Sequence, residues 1–339
     1  SMKLVIATPL YPPEIGGPAT YAMLLKDGLP SQGIEVECVK FSEVRHLPKV
    51  IRHYIYYRRV LKAARYADAI FALDPVSVGL PAMYAAKKAG KPFVVKIVGD
   101  YAWEQGVQRF GITQNLDEFV KEKNVPLPVH FFRWIQTRVA AEATRIIVPS
   151  PYLEDIVTAW GIPKSKISLI YNGIGLPSYL PDVQKKEDEF LIVSAGRRVP
   201  WKGFEAIERT AKKHEDEHWR AFIASGLPRI KALGWMKVAD VFVLNSHYEG
   251  FPHALIEAMT LGTPVIATDT RFHRTLLTHG KTGLLVPPGD DIALERALME
   301  IRRDPDAAQE RARAAQKRMD EFSLPRMLES TEYLLKNLI

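Results

Sequence analysis

Phe190-Leu191-Ile192-Val193-Ser194-Ala195-Gly196-Arg197-Arg198-Val199-Pro200-Trp201-Lys202-Gly203 is an apolar, strand-like run followed by a turn bounded by glycines. The chain opens the same way. Leu4 to Thr8 is apolar and leads into Pro9-Leu10-Tyr11-Pro12-Pro13-Glu14-Ile15-Gly16-Gly17-Pro18-Ala19. Each half therefore starts with an apolar strand and a Gly-bearing turn, the design of two stacked doubly wound domains. Paired glycines let backbone approach a phosphate or a sugar closely, although Gly-Gly alone is as often a plain turn.

Outward from these two stretches, strand-like and helical runs alternate. In the first half the strand-like runs are Leu4 to Thr8, Glu35 to Phe41, Ala69 to Leu73, Phe93 to Val98, Arg145 to Val148 and Ile167 to Ile170. In the second they are Phe190 to Ala195, Ala221 to Ala224, Asp240 to Leu244, Val265 to Thr268 and Gly283 to Val286. Such alternation predicts parallel sheets covered by helices on both faces. Asn172 to Glu189, with Gly173, Gly175, Pro177, Pro181 and a polar Lys185-Lys186-Glu187-Asp188-Glu189 run, reads as the interdomain linker. The 339 residues suit two domains, predicted over 1–172 and 173–322, with a last segment over 323–339.

Composition narrows the class. With 47% hydrophobic and 25% charged residues the chain reads as soluble and globular, and no apolar run approaches the ~20 residues of a membrane span. Ser1-Met2-Lys3 leads into a strand rather than a signal peptide, and the Ser before Met reads as a cleavage scar. The single cysteine, Cys38, permits no internal disulfide, so a reducing cytoplasm is expected.

Glu249-Gly250-Phe251-Pro252-His253-Ala254-Leu255-Ile256-Glu257-Ala258-Met259 places two carboxylates eight residues apart around a turn. Pro252 suits the first turn of a helix and Gly262 its end, so Glu249 precedes a short helix reaching about Leu261 and Glu257 lies within it. Leu255, Ile256, Ala258 and Met259 surround Glu257, and a carboxylate on so apolar a helix needs donors. Ligand hydroxyls would supply them; a neighbouring Arg, or His253 one turn earlier, would serve equally. The free N–H groups at the start of the helix form a natural seat for phosphate.

These motifs resemble the retaining glycosyltransferases of family 4, which have two Rossmann-like domains (the GT-B fold, glycosyl transferases group 1). The resemblance spans nearly the full length, including Thr282-Gly283-Leu284-Leu285-Val286-Pro287-Pro288-Gly289-Asp290. It implies two doubly wound α/β domains facing each other across a cleft, the first binding acceptor and the second the nucleotide sugar. A last helix, Leu324 to Leu338, would cross back onto the first domain. It also implies transfer of a sugar, of hexosyltransferase type, from a nucleoside diphosphate sugar (UDP or GDP type) to a carbohydrate or lipid-linked acceptor hydroxyl with retention, in bacterial polysaccharide, glycolipid or other glycoconjugate synthesis. Arg197 and Lys202 would hold the diphosphate, with backbone from Gly16, Gly17 and Gly196. Glu249 would hold the donor sugar and Glu257 the ribose, with Gly250, Phe251, Pro252, His253 and Ala254 lining the nucleotide-sugar site. Asp100, after the strand ending at Val98, is the candidate for orienting an acceptor or donor-sugar hydroxyl; a helix N-cap is its alternative. Trp103 offers a ring to a sugar face or to the core.

The chain departs from the family in three places. Val98 stands where many members have His, only Ser225 to Ala239 separates two strands where another helix and strand are usual, and Asp269-Thr270-Arg271-Phe272-His273-Arg274-Thr275 replaces a glycine pair and a Glu. A nicotinamide site is disfavoured, since Gly-x-Gly-x-x-Gly is missing after the first strand. No Asp-x-Asp motif of the kind that metal-dependent glycosyltransferases use on the diphosphate is found, and no zinc spacing or Gly-x-Ser-x-Gly elbow occurs, so no metal and no cofactor are expected and the cations must come from the protein. The alternatives left open are a sugar-nucleotide epimerase or phosphorylase-like GT-B enzyme, and a non-catalytic sugar-nucleotide-binding protein.

Charge is uneven. Residues 1–172 carry 22 Lys plus Arg against 15 Asp plus Glu, whereas the remainder is balanced. No acidic residue occurs from Val44 to Ala67. On a helix from about Pro48, Val50, Tyr54, Tyr57, Leu61 and Ala64 make an apolar stripe, while Lys49, Arg52, Tyr56, Arg59 and Lys62 fall off it. That basic face suits an anionic membrane surface or simply solvent, which would place the protein in the cytoplasm or peripherally on the inner membrane face. Nucleic acid is not expected, because no recognised binding motif accompanies the charge.

Overall fold

Runs of branched and aromatic residues with little polar interruption form strands that are buried on both faces, as parallel sheets require. The computed structural model describes residues 1–14 and 16–338; Ile15, within the predicted glycine loop, and Ile339 lie outside the described residues. The first half forms β1 (Met2–Thr8), β2 (Ile34–Lys40), β3 (Ala69–Ala72), β4 (Phe93–Lys96), β5 (Arg145–Val148) and β6 (Ile167–Leu169). They make one parallel sheet in the order β2-β1-β3-β4-β5-β6. The second half forms β7 (Phe190–Ala195), β8 (Trp219–Ala224), β9 (Val241–Leu244), β10 (Val265–Thr268) and β11 (Leu284–Val286). Their order is β11-β10-β9-β7-β8, again parallel. The chain thus has two Rossmann-like α/β units.

One unit comprises Ser1–Gly173 and the chain from Leu324 on, the other Ile174–Ser323. In the first, Leu4, Ile6, Phe71, Val94 and Ile147 of the sheet are covered by the helix Gly17–Gly28 and by the C-terminal helix Leu324–Lys336. The two helices approach so closely that a Cβ on Gly28 would lie 2.4 Å from Leu328 Cδ1. Lys96, the last residue of β4, is buried; its ammonium donates to Asn172 Oδ1 and lies 3.3 Å from the Tyr21 ring centroid. Burial pushes its pKa well below the usual lysine range.

The Asn172 to Glu189 segment does hold the boundary between the units, at Gly173, and its remainder is built into the second unit, where Lys185 pairs with Asp240 at 2.6 Å, Glu189 with Arg220 at 3.1 Å, and Gly175 O accepts from Arg229 at 2.9 Å. Glycines and prolines break periodicity without freeing the chain. Two sequence expectations are corrected. In the helix Lys49–Ala64 the buried residues are Tyr56, Val60, Leu61, Ala63 and Ala64, whereas Val50 and Tyr54 are exposed. Tyr56 turns inward because its hydroxyl reaches Val39 O at 2.8 Å and its ring meets Phe41 edge-on, both satisfied only by the tertiary fold. The expected strand over Phe93 to Val98 ends at Lys96, before the next helix begins.

Candidate functional site

The loop after β7 and the loop after β9 are neighbours because those strands are paired. Gly203, at φ +62°, needs no Cβ; one there would lie 2.5 Å from Asn245 O. Asn245 Nδ2 donates to Gly203 O at 3.0 Å and His247 N to Trp201 O at 2.8 Å, so the two loops are sewn together. This brings Lys202 onto Glu249, 47 residues later, as an ion pair with side chains only 16% and 9% exposed. Ser246 Oγ donates to the same carboxylate at 2.8 Å. Gly196, at φ +139°, adopts a backbone conformation that other residues rarely take, with the Lys202 stem packed against it. Arg197 is exposed on the same loop. Its neighbour Arg198 pairs with Glu208 at 2.7 Å and lies over Phe204.

Pro252 is the N-cap residue of the helix His253–Thr260, and Gly262 follows it at φ +76°. Ala254 is half-buried, and Gly250 and Phe251 are buried ahead of the helix, the Phe251 ring edge-on to His253 and tilted against Phe272 and Phe322. Glu257 is buried and accepts from Arg229 Nε at 2.9 Å. Burial pushes its carboxyl above the usual range, against the pull of the Arg229 guanidinium. Arg229 opens the helix Arg229–Val238 and was not singled out from sequence; the need of Glu257 for a donor was the signal available.

His273 was also missed as a site residue. It is fully buried, its Nδ1 lies 2.8 Å from Thr268 O, and its Nε2 has no hydrogen-bond partner. Burial lowers its pKa, with the charges of Glu249, Lys202 and Asp269 also felt there. A neutral ring donating from Nδ1 thus stands behind the Lys202–Glu249 pair. Among the described residues, no group of three or more His, Cys, Asp and Glu is gathered in a way that could hold a metal ion.

Two family models match the chain: "Glycosyl transferase 4-like domain" over residues 26–173 and "Glycosyl transferases group 1" over residues 226–318. This chain is a GT4-like, group 1 glycosyltransferase of GT-B fold. It is 24% identical over 319 residues to the UDP-Gal:alpha-D-GlcNAc-diphosphoundecaprenol alpha-1,3-galactosyltransferase of Escherichia coli, covering 83% of this chain and 76% of that protein. The lipopolysaccharide core biosynthesis glycosyltransferase LpsD of Rhizobium meliloti is 30% identical over 147 residues, covering 37% of this chain and 42% of that one. Among solved structures, sucrose-phosphate synthase from Thermosynechococcus elongatus superposes with TM-score 0.79 at 18% identity, covering 100% and 99% of the two chains. Anabaena Alr3699/HepE, solved with UDP and glucose, superposes with TM-score 0.71 at 16% identity, covering 99% and 100%.

In this glycosyltransferase the short Ser225 to Ala239 segment holds a single helix, which leaves β8 at the sheet edge. In the first unit Gly16, at φ +152°, precedes the helix Gly17–Gly28; a Cβ there would lie 2.7 Å from Leu10 Cδ1, whereas one on Gly17 would meet nothing within 4 Å. The helix start has neither a side-chain cap nor an acidic residue. Asp100 is corrected. It is the N-cap of Tyr101–Arg109, 1% exposed, and accepts from Trp103 N (2.9 Å), Gln136 Nε2 (2.9 Å) and Trp160 Nε1 (3.1 Å). Its carboxylate is spent on joining three helices rather than turned to a substrate hydroxyl. Trp103 is likewise core, its Nε1 bonded to Gln114 O. Of the basic set, Arg59 pairs with Glu43 at 2.7 Å and Arg52 donates to Arg45 O, while Lys49 and Lys62 are exposed.

Proposed function

We propose that this glycosyltransferase takes a nucleoside diphosphate sugar of UDP or GDP type and transfers the sugar, with retained configuration, to a carbohydrate or lipid-linked acceptor in bacterial glycoconjugate synthesis. The observation that carries the reading is the Lys202–Glu249 pair, held between two sewn loops beside Arg197 and in the same unit as the Arg229–Glu257 pair. Lys202 and Arg197 neutralise the diphosphate, and the charge they offset grows as the C1–O bond to phosphate breaks. Gly196 gives the phosphates access to backbone N–H groups. Glu249, released from Lys202 by the incoming phosphates, accepts from donor sugar hydroxyls. Glu257 accepts from the ribose hydroxyls beside the Arg229 guanidinium, and Phe251, Pro252, His253 and Ala254 frame the approach. The acceptor oxygen bonds to C1 on the face the phosphate leaves, and that phosphate takes the acceptor proton, so configuration is retained. The first unit is assigned the acceptor, and its basic helix, through Lys49 and Lys62, an anionic membrane on the cytoplasmic side. The E. coli galactosyltransferase, whose name places its acceptor on a diphosphoundecaprenol lipid, and the HepE structures with UDP-glucose support a UDP-sugar and a lipid-linked acceptor.

Arg197 supplies the cleanest test because it is exposed. Arg197→Ala should lower turnover on the order of 10²-fold with an unchanged melting temperature. Near-normal turnover would remove the diphosphate assignment. Donor incubated with water alone distinguishes transfer from epimerase or phosphorylase chemistry.

A further inference from the structure

The helix Leu127–Glu142 carries Leu127, Phe131 and Trp134 at 82%, 57% and 53% exposure. Their spacing of four and three residues puts them on one stripe. Phe131 and Trp134 stack at 6.3 Å with 19° between planes, and the Arg138 guanidinium lies 5.6 Å from the Trp134 ring. Large apolar side chains rarely gather on a water-facing helix without a partner. Nothing among the described residues of the first unit covers them.

The surroundings say what the partner is. The helix Gly79–Ala89 packs between Leu127–Glu142 and Lys49–Ala64. Each of the three ends a few residues before a strand of the parallel sheet, so their first turns all lie at the sheet's carboxyl edge. The first turns of Lys49–Ala64 present Val50, Ile51 and Tyr54, also exposed, and Gly79–Ala89 presents Tyr84. The three helices together hold nine Lys and Arg and a single acidic residue, Glu142, at the far end of the last helix. Lys49 and Arg52 share the first turns of their helix with Val50, Ile51 and Tyr54, whereas Lys62, Lys87 and Lys88 fall in last turns. An apolar, aromatic edge with cations beside it matches an anionic bilayer surface, where aromatic rings settle at head-group level and cations pair with lipid phosphates. A protein partner with a dry, uncharged face would leave those cations unmatched.

We propose that this edge is a membrane-docking surface and that Leu127, Phe131 and Trp134 are its inserting anchor, with the cations of Lys49–Ala64 as the electrostatic part. The inference deepens the membrane contact proposed above, replacing a purely charged helix face by a two-part surface on two helices.

The test is sedimentation of the full chain with vesicles of phosphatidylglycerol and phosphatidylcholine, against phosphatidylcholine alone. Wild type should sediment with the anionic vesicles, and brominated lipids should quench part of its tryptophan emission. Trp134→Phe should retain sedimentation and lose most of the quenching. Leu127→Ser/Phe131→Ser/Trp134→Ser should weaken partitioning at least tenfold at low salt, while Lys49→Glu/Lys62→Glu should weaken it in a salt-dependent way. Unchanged partitioning of the triple Ser variant, or equal quenching in Trp134→Phe, overturns the anchor. A concentration-dependent dimer that the triple variant abolishes, with no vesicle binding by wild type, overturns the membrane in favour of a second copy. Transfer to a soluble acceptor by the triple Ser variant is read in parallel: if it persists while sedimentation fails, the transferase reading stands on its own.

Discussion

Glu249 and Glu257 look equivalent in sequence, but their partners differ: Glu249 accepts from Lys202 and Ser246, Glu257 from Arg229. Glu257→Gln replaces a charged acceptor by a neutral one and leaves the Arg229 guanidinium unmatched, so calorimetry should show weaker binding of free nucleoside diphosphate. Glu249→Gln should spare that binding and depress transfer. Equal loss of nucleotide affinity in both variants would show that the roles are misassigned. His273 gives a second residue-level expectation. Burial holds its pKa below the usual ~6.5, so the unfolded chain binds its proton first on acidification. Its contribution to stability is therefore complete above about pH 6.5 and is lost as pH falls below that value. His273→Leu removes the titration, and the difference in melting temperature between wild type and variant should shift in favour of the variant from pH 7.5 to 5.5. Parallel profiles would exclude the imidazole as the titrating group. Sequence pointed to the carboxylates because apolar neighbours demand an explanation for a Glu; it was silent on His273, whose isolation depends on what packs around it.

At the scale of elements, the junction of the β7 and β9 loops holds the site, and Gly203 is its tightest point. Gly203→Ala would force a Cβ to 2.5 Å from Asn245 O at a backbone conformation few side chains adopt. A loss of roughly 1–3 kcal/mol in urea denaturation is expected, with reduced donor binding as Lys202 is displaced. An unchanged denaturation midpoint would mean that the loops adjust freely. Strand positions were legible because parallel strands, buried on both faces, read as continuous apolar runs. The buried face of Lys49–Ala64 was not, since Val50, Tyr54 and Tyr57 make as good a stripe on paper as Tyr56 and Val60 do in the fold. Hydrophobic periodicity shows that a helix is amphipathic without showing which of two overlapping arcs finds a core. The Asn172 to Glu189 segment was legible as the boundary between the units but not in its packing, because its contacts with Asp240, Arg220 and Arg229 are to residues distant in sequence.

For the molecule as a whole, the positive charge offered to a diphosphate is expected to come from Arg197, Lys202 and helix N-termini rather than from a metal. Transfer measured in EDTA should therefore keep its rate; activity lost in EDTA and restored by Mg²⁺ or Mn²⁺ would contradict the proposed site. The sequence by itself determined the alternation of strand and helix, the two units, the acidic pair around Gly250-Phe251-Pro252 and the basic loop after β7, because these follow from local composition and spacing. Only the tertiary structure decided that Lys202 meets Glu249, that Arg229 meets Glu257, that Asp100 is consumed as a cap, and that Leu127, Phe131 and Trp134 are left without cover. Each of these depends on which distant groups arrive at a given point in space, and desolvation and pairing energies are set by those arrivals rather than by neighbours along the chain.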